Sequence, residues 1–394
     1  MANIPVKWVQ SSMRGAPIIN GVAGSLIGAL RTFLITGFAP TAAVSATALD
    51  GIATIMLPSG QSFEEHAVVL IAGATIPEFN GEARVLSAAS DRITVATSAA
   101  NGPLAGSITV RYAPVGGWEE VFSKTNVSVF RSTNPAGSRF FLRVDDTGAA
   151  VARVVAYESM SDVDTGSNPF PAAAQASGGG YWHKSGAASA IAVRWRMFAD
   201  TRMLYVALAS GSYQNDVFTA APLRGFGDPI ARSQSGDVWS ALISVAPAGN
   251  TSNSGMLESA VLSAGVSGIF CARSITGLGG SVQCNPKAYT GGAGEISGGS
   301  TYLGAGPSDV DGEIKLSSLF VVEARTGAGP RADVPGVQFV PQSGVFAQIQ
   351  DGTIIAGSGP FAGMRLMAVA TGTNQGTTPV GIYFVNITGP WRAS

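Results

Sequence analysis

Residues 66–97 read HAVVLIAGATIPEFNGEARVLSAASDRITVAT, and this stretch decides the fold class. Three short apolar runs, at 66–73, 83–87 and 91–97, are rich in β-branched residues and are separated by turn signals. The Asn80-Gly81 pair is typical of a tight hairpin turn. A fourth run follows at 106–112. Strands this short and this closely spaced predict a compact sandwich or barrel-like β domain, which we place at 49–115.

In several segments of residues 116–394, polar and apolar residues alternate, which is typical of strands with one buried face. We therefore predict a larger β-sandwich or jelly-roll-like region there. Two Gly- and Ser-rich segments, 173–180 and 276–306, are expected to be long loops. The fold class is therefore predicted to be mainly all-β. The strand candidates of this region are 127–130, 139–144, 152–157, 190–198, 203–208, 238–245, 316–323, 364–370 and 381–387.

Residues 1–48 are expected to form an arm, at 1–17, and one helix near 20–36. Val22, Leu26, Leu30 and Leu34 recur every four residues, which is a helical spacing. Asn20 is a candidate cap and Gly37 a candidate end. With few helices expected elsewhere, this one is a candidate docking element. The alternative is that it packs only on its own domain.

The amino-acid composition favours an oligomeric protein and argues against nucleic-acid binding and membrane insertion. Apolar residues make up 46% of the chain and charged residues only 12%, about half the usual share, with a net charge of −1. A surface with so few charges predicts coverage by other subunits, so we expect a homo-oligomer. No cluster of Lys and Arg suggests nucleic-acid binding. No apolar run suggests membrane insertion, and the N-terminus predicts no signal peptide.

Two cysteines, Cys271 and Cys284, are too few for a disulfide scaffold or a zinc site. One disulfide between them is possible, but spacing does not establish it, and reduced thiols would suit assembly in a bacterial cytoplasm. His66 and His183 are the only histidines. No nucleophile elbow or phosphate-binding loop accompanies them, so we expect no cofactor and structural or surface roles for both.

The acidic residues Asp145, Asp146, Glu158, Asp162 and Asp164 lie within a short span. Such carboxylates are able to serve as a glycosidase acid and base or to bind calcium. Their setting among Ser, Thr and Gly favours turns instead. Asp162 and Asp164 are the weak metal candidates, and no catalytic residue is predicted.

Tyr181, Trp182 and Trp195 form an aromatic group that is a candidate platform for sugar rings. Packing in the core is the commoner fate of aromatic residues in a β protein. A host-surface glycan is therefore kept only as an alternative partner.

Several phrases together resemble structural proteins of tailed bacteriophages. They include KWVQSSMRGAP at 7–17, GWEEVFSKTN at 117–126, GYWHKS at 180–185 and GPWR at 389–392. The resemblance implies a virion component made in the host cytoplasm, of the kind associated with tail genes. Its partners would be other tail or baseplate subunits. It carries over no catalytic residues.

The leading hypothesis is a non-enzymatic tail or baseplate protein that mediates subunit assembly and host attachment. Alternatives are a capsid decoration or head-fibre protein, a receptor- or glycan-binding module, and a polysaccharide hydrolase. A glycan-binding module would require exposed aromatic residues in loops. A hydrolase would require a cleft with two facing carboxylates.

Overall fold

A computed structural model describes residues 4–209, 220–247, 255–260, 268–290, 296–299, 301–372 and 379–392. Strands account for 44% of the described residues and helices for 7%, which confirms the all-β prediction. Every ladder between strands in these ranges is antiparallel. No helix in the described part of the chain is long and apolar enough to cross a membrane.

The first sheet has eight strands and follows a short edge strand and a helix. Strand β1 is Lys7–Gln10, helix α1 is Ser25–Arg31, and a π-helical turn at Thr32–Thr36 continues it. A 3₁₀ turn, Pro77–Phe79, lies between two strands of the sheet. The strand order is β2-β9-β5-β6-β7-β4-β3-β8. The strands are β2 Phe38–Ala42, β3 Ser45–Leu49, β4 Ile52–Met56, β5 Val68–Ala74, β6 Gly81–Ala89, β7 Arg92–Ala96, β8 Gly102–Pro103 and β9 Gly106–Tyr112.

The second sheet has six strands in the order β10-β11-β12-β13-β14, with β15 also paired to β13. Its longest strand, β13, pairs with β15 through its first half and with β14 through its second half. The strands are β10 Trp118–Lys124, β11 Val127–Ser132, β12 Phe141–Asp145, β13 Val151–Met160, β14 Gly166–Phe170 and β15 Gly180–His183.

The third sheet has thirteen strands, with order β1-β16-β17-β18-β20-β21-β22-β23-β24-β27-β26-β25 and β19 beside β24. Short helical turns lie at Val238–Ser240, Val345–Gln348 and Gly359–Phe361. The strands are β16 Arg194–Ala199, β17 Met203–Ala209, β18 Leu223–Gly227, β19 Ile230–Ala231, β20 Leu242–Ser244, β21 Ile269–Cys271, β22 Val282–Ala288, β23 Ser317–Glu323, β24 Ala332–Phe339, β25 Ile354–Ala356, β26 Arg365–Thr371 and β27 Gly381–Asn386.

The third sheet folds back on itself. Tyr205 on β17 donates its hydroxyl to the carbonyl of Pro335 on β24, at 2.8 Å, although these strands are far apart in the sheet order. Tyr383 on β27 likewise donates to the carbonyl of Ala221, at 3.1 Å. Strands β17 and β27 are consequently buried along their whole length. Burial of both faces explains why these strands are continuous apolar runs rather than alternating ones.

The N-terminal arm contributes a strand to this chain's own sheet. Strand β1 pairs with β16, and Trp8 is 1% exposed. The buried amine of Lys7 donates to Glu82 at 2.6 Å and to the carbonyl of Val115 at 2.7 Å. These contacts join the arm to the first sheet.

A second set of hydrogen bonds joins the first sheet to both ends of the described chain. The guanidinium of Arg84, on β6, donates to four carbonyl oxygens at 2.8–3.3 Å. Burial lowers the pKa of Arg84 to about 10. The group stays charged at neutral pH, so four acceptors compensate the loss of water. The acceptors belong to Val6, His66, Ile387 and Thr388.

The helix begins five residues later than Asn20, the candidate cap. The Asn20 side chain instead accepts the backbone N–H of Val22 in a local turn, and Val22 is 48% exposed. Gly24, with φ of +81°, precedes the first helical residue. Leu26, Leu30 and Leu34 are buried as their spacing predicts, and the helical stretch ends before Gly37.

The cap comes from a distant part of the chain. Asp146, just after β12, accepts the backbone N–H of Leu26 at 2.8 Å and of Ile27 at 3.3 Å. Its other carboxylate oxygen pairs with the amine of Lys184, and neither side chain is exposed. A carboxylate is favoured at a helix N-terminus because it satisfies N–H groups that have no partner within the helix.

The region predicted as a larger β-sandwich, 116–394, contributes strands β10–β15 to the second sheet and β16–β27 to the third. The segment 276–306, expected to be a loop, contains strand β22 at Val282–Ala288. Its polar residues Gln283, Asn285 and Lys287 alternate with buried ones, so the low apolar content hid a strand with one exposed face.

We predict that Asp146→Ala lowers the free energy of unfolding by about 3–5 kcal/mol, because it leaves the buried amine of Lys184 without its carboxylate. Asp145→Ala is the matched control. Asp145 is half-buried and lies 3.6 Å from Arg143, so its loss should cost less than about 1 kcal/mol. Urea denaturation of the two variants measures the difference. Equal destabilisation would contradict a special role for Asp146.

Candidate functional site

The two weak metal candidates lie in a tight turn between β13 and β14. Asp162 accepts the backbone N–H groups of Asp164 and Thr165, both at 2.8 Å, which lowers the pKa of its carboxyl. Asp164 pairs with Lys124 at 2.5 Å and with Arg143 at 2.9 Å, and these cations lower its pKa. Two protein cations already occupy the place that a metal ion would take.

The other carboxylates of the acidic cluster are also engaged by protein groups. Glu158 pairs with Arg273 at 2.5 Å, across the second and third sheets. Asp145 accepts the hydroxyl of Thr147 at 2.8 Å. Asp146 is buried against helix α1, where burial raises the pKa of its carboxyl. Arg143 brings Asp145 and Asp164 together, at 3.6 and 2.9 Å, whereas Asp146 and Glu158 have other partners.

The histidines lie in different sheets. His66 precedes β5 with φ of +64°, and its carbonyl accepts the indole N–H of Trp8 and the guanidinium of Arg84. Burial lowers the pKa of its imidazole. His183 ends β15 and is 5% exposed. Within the described residues, no group of three or more His, Cys, Asp or Glu side chains is arranged to hold a metal ion.

The aromatic group of the sequence lies mostly in the core. Trp182 is fully buried and donates its indole N–H to the carbonyl of Ser244 at 2.8 Å, while Trp195 is 2% exposed. Tyr181 is half-buried, with the guanidinium of Arg153 at 4.0 Å from its ring centroid. The two tryptophans are therefore closed to a sugar, because burial leaves no ring face open.

A different surface has the size and chemistry of a binding site. A cleft of about 840 Å³ lies between the end of the β17–β18 hairpin and the loop that follows β19. Ligand pockets usually measure about 300–1,000 Å³. We call it the Trp239 cleft. Its side chains are mainly polar, and those used below are Arg202, Asp228, Ser233, Gln234, Ser235, Asp237, Trp239 and Arg392.

Each charged group of the Trp239 cleft has an oppositely charged partner, either in the cleft or beside it. Asp228 lies 3.3 Å from Arg202 and accepts the backbone N–H of Ser138 at 3.0 Å. Asp237 pairs with the buried Arg331 at 2.7 Å. Arg392 pairs with Asp200 at 2.9 Å. The cleft is therefore close to neutral in charge while offering many hydrogen-bonding groups.

The loop 233–239 supplies the groups that are free to meet a ligand. Gln234 and Ser235 are exposed, and the hydroxyls of Ser233 and Ser235 are 2.9 Å apart. Trp239 is half-buried, with Arg273 at 4.2 Å from its ring centroid and the Phe140 ring at 6.0 Å. These neighbours fix the orientation of the indole at the wall of the cleft.

Sequence reasoning missed this loop. Its residues Val238 and Trp239 fall in the predicted strand 238–245, whereas in the structure they lie in the short helical turn Val238–Ser240. A tryptophan close after a polar turn is the sequence feature that could have identified this loop. Exposed aromatic residues in loops were the stated requirement for glycan binding. Arg392 comes from the C-terminal region and had no local signal at all.

A smaller cleft, of about 530 Å³, lies beside Tyr289. The Tyr289 hydroxyl donates to Asp333 at 2.7 Å, and Arg232 pairs with the same carboxylate at 2.9 Å. Burial and the hydrogen bond to Asp333 raise the pKa of Tyr289 to about 12. The Phe320 ring lies 4.4 Å from the tyrosine ring, and Arg232 lies 5.0 Å from it. Tyr289 is 47% exposed, but its hydroxyl and its ring both have partners within the chain.

Comparison with known proteins finds no family model that matches the chain and no similar protein among the curated sequences.

We predict that calcium leaves the thermal midpoint of unfolding unchanged within about 1 °C, because binding can stabilise only a site that takes the ion in the folded state. Asp162 and Asp164 are already satisfied by N–H groups and by cations. Differential scanning fluorimetry with millimolar calcium and with chelator measures this. An upward shift that disappears in Asp164→Asn would establish a cation site in this turn.

Proposed function

We propose that this chain is a structural component of a tailed-phage virion, in the tail or baseplate, where it mediates subunit assembly. The observation that carries the non-enzymatic part is the engagement of each candidate carboxylate. Asp146 caps a helix, Glu158 and Asp164 pair with cations, and Asp162 closes a turn. The placement in a tail rests on the resemblance of the sequence phrases.

The fold supports a structural role in a second way. Three antiparallel sheets are joined by buried ion pairs and clamps such as Lys7–Glu82 and those of Arg84. A polysaccharide hydrolase would need two facing carboxylates about 5–10 Å apart across a cleft. In the Trp239 cleft, Asp228 and Asp237 are each held by an arginine.

Exposed apolar side chains mark a surface for assembly. Ile18, Val22 and Ile191 are 61%, 48% and 52% exposed and lie on two loops that hydrogen-bond to each other. We call this surface the Ile18 patch. In a chain with only 12% charged residues, such a patch is best explained by coverage from a second copy of the chain. A capsid decoration or head-fibre protein would need the same kind of surface.

We predict that Ile18→Asp combined with Ile191→Asp reduces self-association at least tenfold, since burying a carboxylate against apolar surface is unfavourable. Sedimentation velocity of the purified chain measures the association. Val310→Asp is the control, because Val310 is 95% exposed and lies elsewhere on the surface. Deleting residues 1–17 is a poorer test, since it removes β1 and Trp8 from the fold.

The particle itself tests the location. Density for this fold in a tail or baseplate map would support the proposal, whereas density on the capsid would favour a decoration or head-fibre protein. Absence of the chain from purified particles would contradict any virion role.

Glycan binding is the second candidate, and the Trp239 cleft is the observation that favours it. A nearly neutral cleft with hydroxyl, amide and indole groups suits a polyhydroxylated ligand that carries little charge. Host attachment through such a cleft would be compatible with a tail position.

We predict that Gln234→Ala weakens binding of host-surface polysaccharide about three- to tenfold, the usual effect of losing one hydrogen bond. Gln350→Ala is the matched control, because Gln350 is also exposed but lies outside the cleft. Isothermal titration with purified polysaccharide provides the measurement. Equal affinity of both variants and the parent chain for the polysaccharide would contradict glycan binding in the Trp239 cleft.

A further inference from the structure

The two cysteines meet in the interior of the third sheet. Cys271 ends β21 and Cys284 lies in the neighbouring β22, where the register pairs Ile269 with Cys284 and Cys271 with Val282. Since side chains alternate between the faces of a strand, both thiols lie on the same face as diagonal neighbours. Their sulfur atoms are 3.2 Å apart, and both side chains are fully buried.

The surroundings of Cys284 favour the protonated form of its thiol at neutral pH. The hydrogen bond between them and burial raise the pKa of the Cys284 thiol well above its usual range. A protonated thiol reacts slowly because the thiolate is the nucleophile. Arg331, which pairs with Asp237 and Glu323, is the nearby cation that opposes this effect. The pair is therefore stable as two thiols in a reducing compartment.

We infer that Cys271 and Cys284 are an oxidation site, which forms an intrachain disulfide with a small-molecule disulfide as the oxidant. One thiol loses its proton and attacks the small disulfide, which releases one small thiol and leaves a mixed disulfide. The second cysteine then attacks that bond and releases the other small thiol. Two protons and two electrons pass to the oxidant, and one sulfur–sulfur bond joins the strands.

The geometry allows this step with a small movement. The sulfur atoms need to approach by about 1.1 Å to reach the length of a disulfide bond. Strand β21 has only three residues, so its pairing with β20 and β22 depends on few hydrogen bonds. Local opening of so short a strand would admit a small oxidant to the buried thiols.

The bond would constrain one wall of the Trp239 cleft. Residues 272–283 lie between the cysteines, and this loop carries Ile275, Thr276 and Gly277 of the cleft lining. It also carries Arg273, which lies over the Trp239 ring and pairs with Glu158. Closing the loop covalently restricts the unfolded chain and so stabilises the folded state. The inference does not depend on a virion location or on glycan binding.

The test uses the reduced full chain treated with 2-hydroxyethyl disulfide, then denatured and alkylated. We expect a product lighter than the reduced chain by about 2 Da that takes up no alkyl group, with one cross-linked peptide. We also expect its thermal midpoint to rise by a few °C and to return after reduction. Cys271→Ser and Cys284→Ser are the controls, in which neither change should occur.

Three outcomes would overturn the inference. They are two alkylated thiols after treatment, stable mixed disulfides on separate cysteines, and disulfides between chains. A cross-link that forms only after the chain has been unfolded would also overturn it, because the proposed site belongs to the folded sheet. Treatment at a temperature below the unfolding transition tests this, because the cross-link should then form in the folded chain.

Discussion

The buried ion pair between Asp146 and Lys184 is the interaction on which the N-terminal half depends. Asp146 accepts two N–H groups at the start of helix α1, and Lys184 donates to the carbonyl of Val22 at 2.7 Å. One carboxylate therefore connects the helix, the end of β12 and the segment after β15. The pair has no exposure to water, so each charge is stable only while the other is in place.

Buried charged groups with polar partners also connect the sheets to one another. Lys7, Arg84 and the Glu158–Arg273 pair place charged groups where two sheets meet. A chain with 12% charged residues thus uses many of its charges inside rather than on its surface. Buried charges do not cover the surface, where apolar side chains such as those of the Ile18 patch are exposed. The low charge content is in this way related to the proposed assembly.

The surface proposed for ligand binding lies among such ion pairs. The Trp239 cleft is bounded by paired arginines and carboxylates, so its walls are rigid and nearly neutral, while its loop of Ser and Gln residues faces outward. Under the proposed function, such a surface would recognise a polar ligand. Attachment and assembly would then occupy separate surfaces of one particle component.

The sequence by itself determined the all-β class, most of the strands and the buried face of the helix. Period-two alternation, turn residues and the spacing of Leu26, Leu30 and Leu34 are local signals, and local geometry follows from them. Only the tertiary structure decided that β1 pairs with β16, that Asp146 rather than Asn20 caps the helix, and that Trp182 and Trp195 are core residues. It also decided that 282–288 is a strand and that Arg392 reaches the cleft. These outcomes depend on partners tens to hundreds of residues away. No periodicity along a chain encodes which distant strand will supply a hydrogen bond, a charge or a covering face.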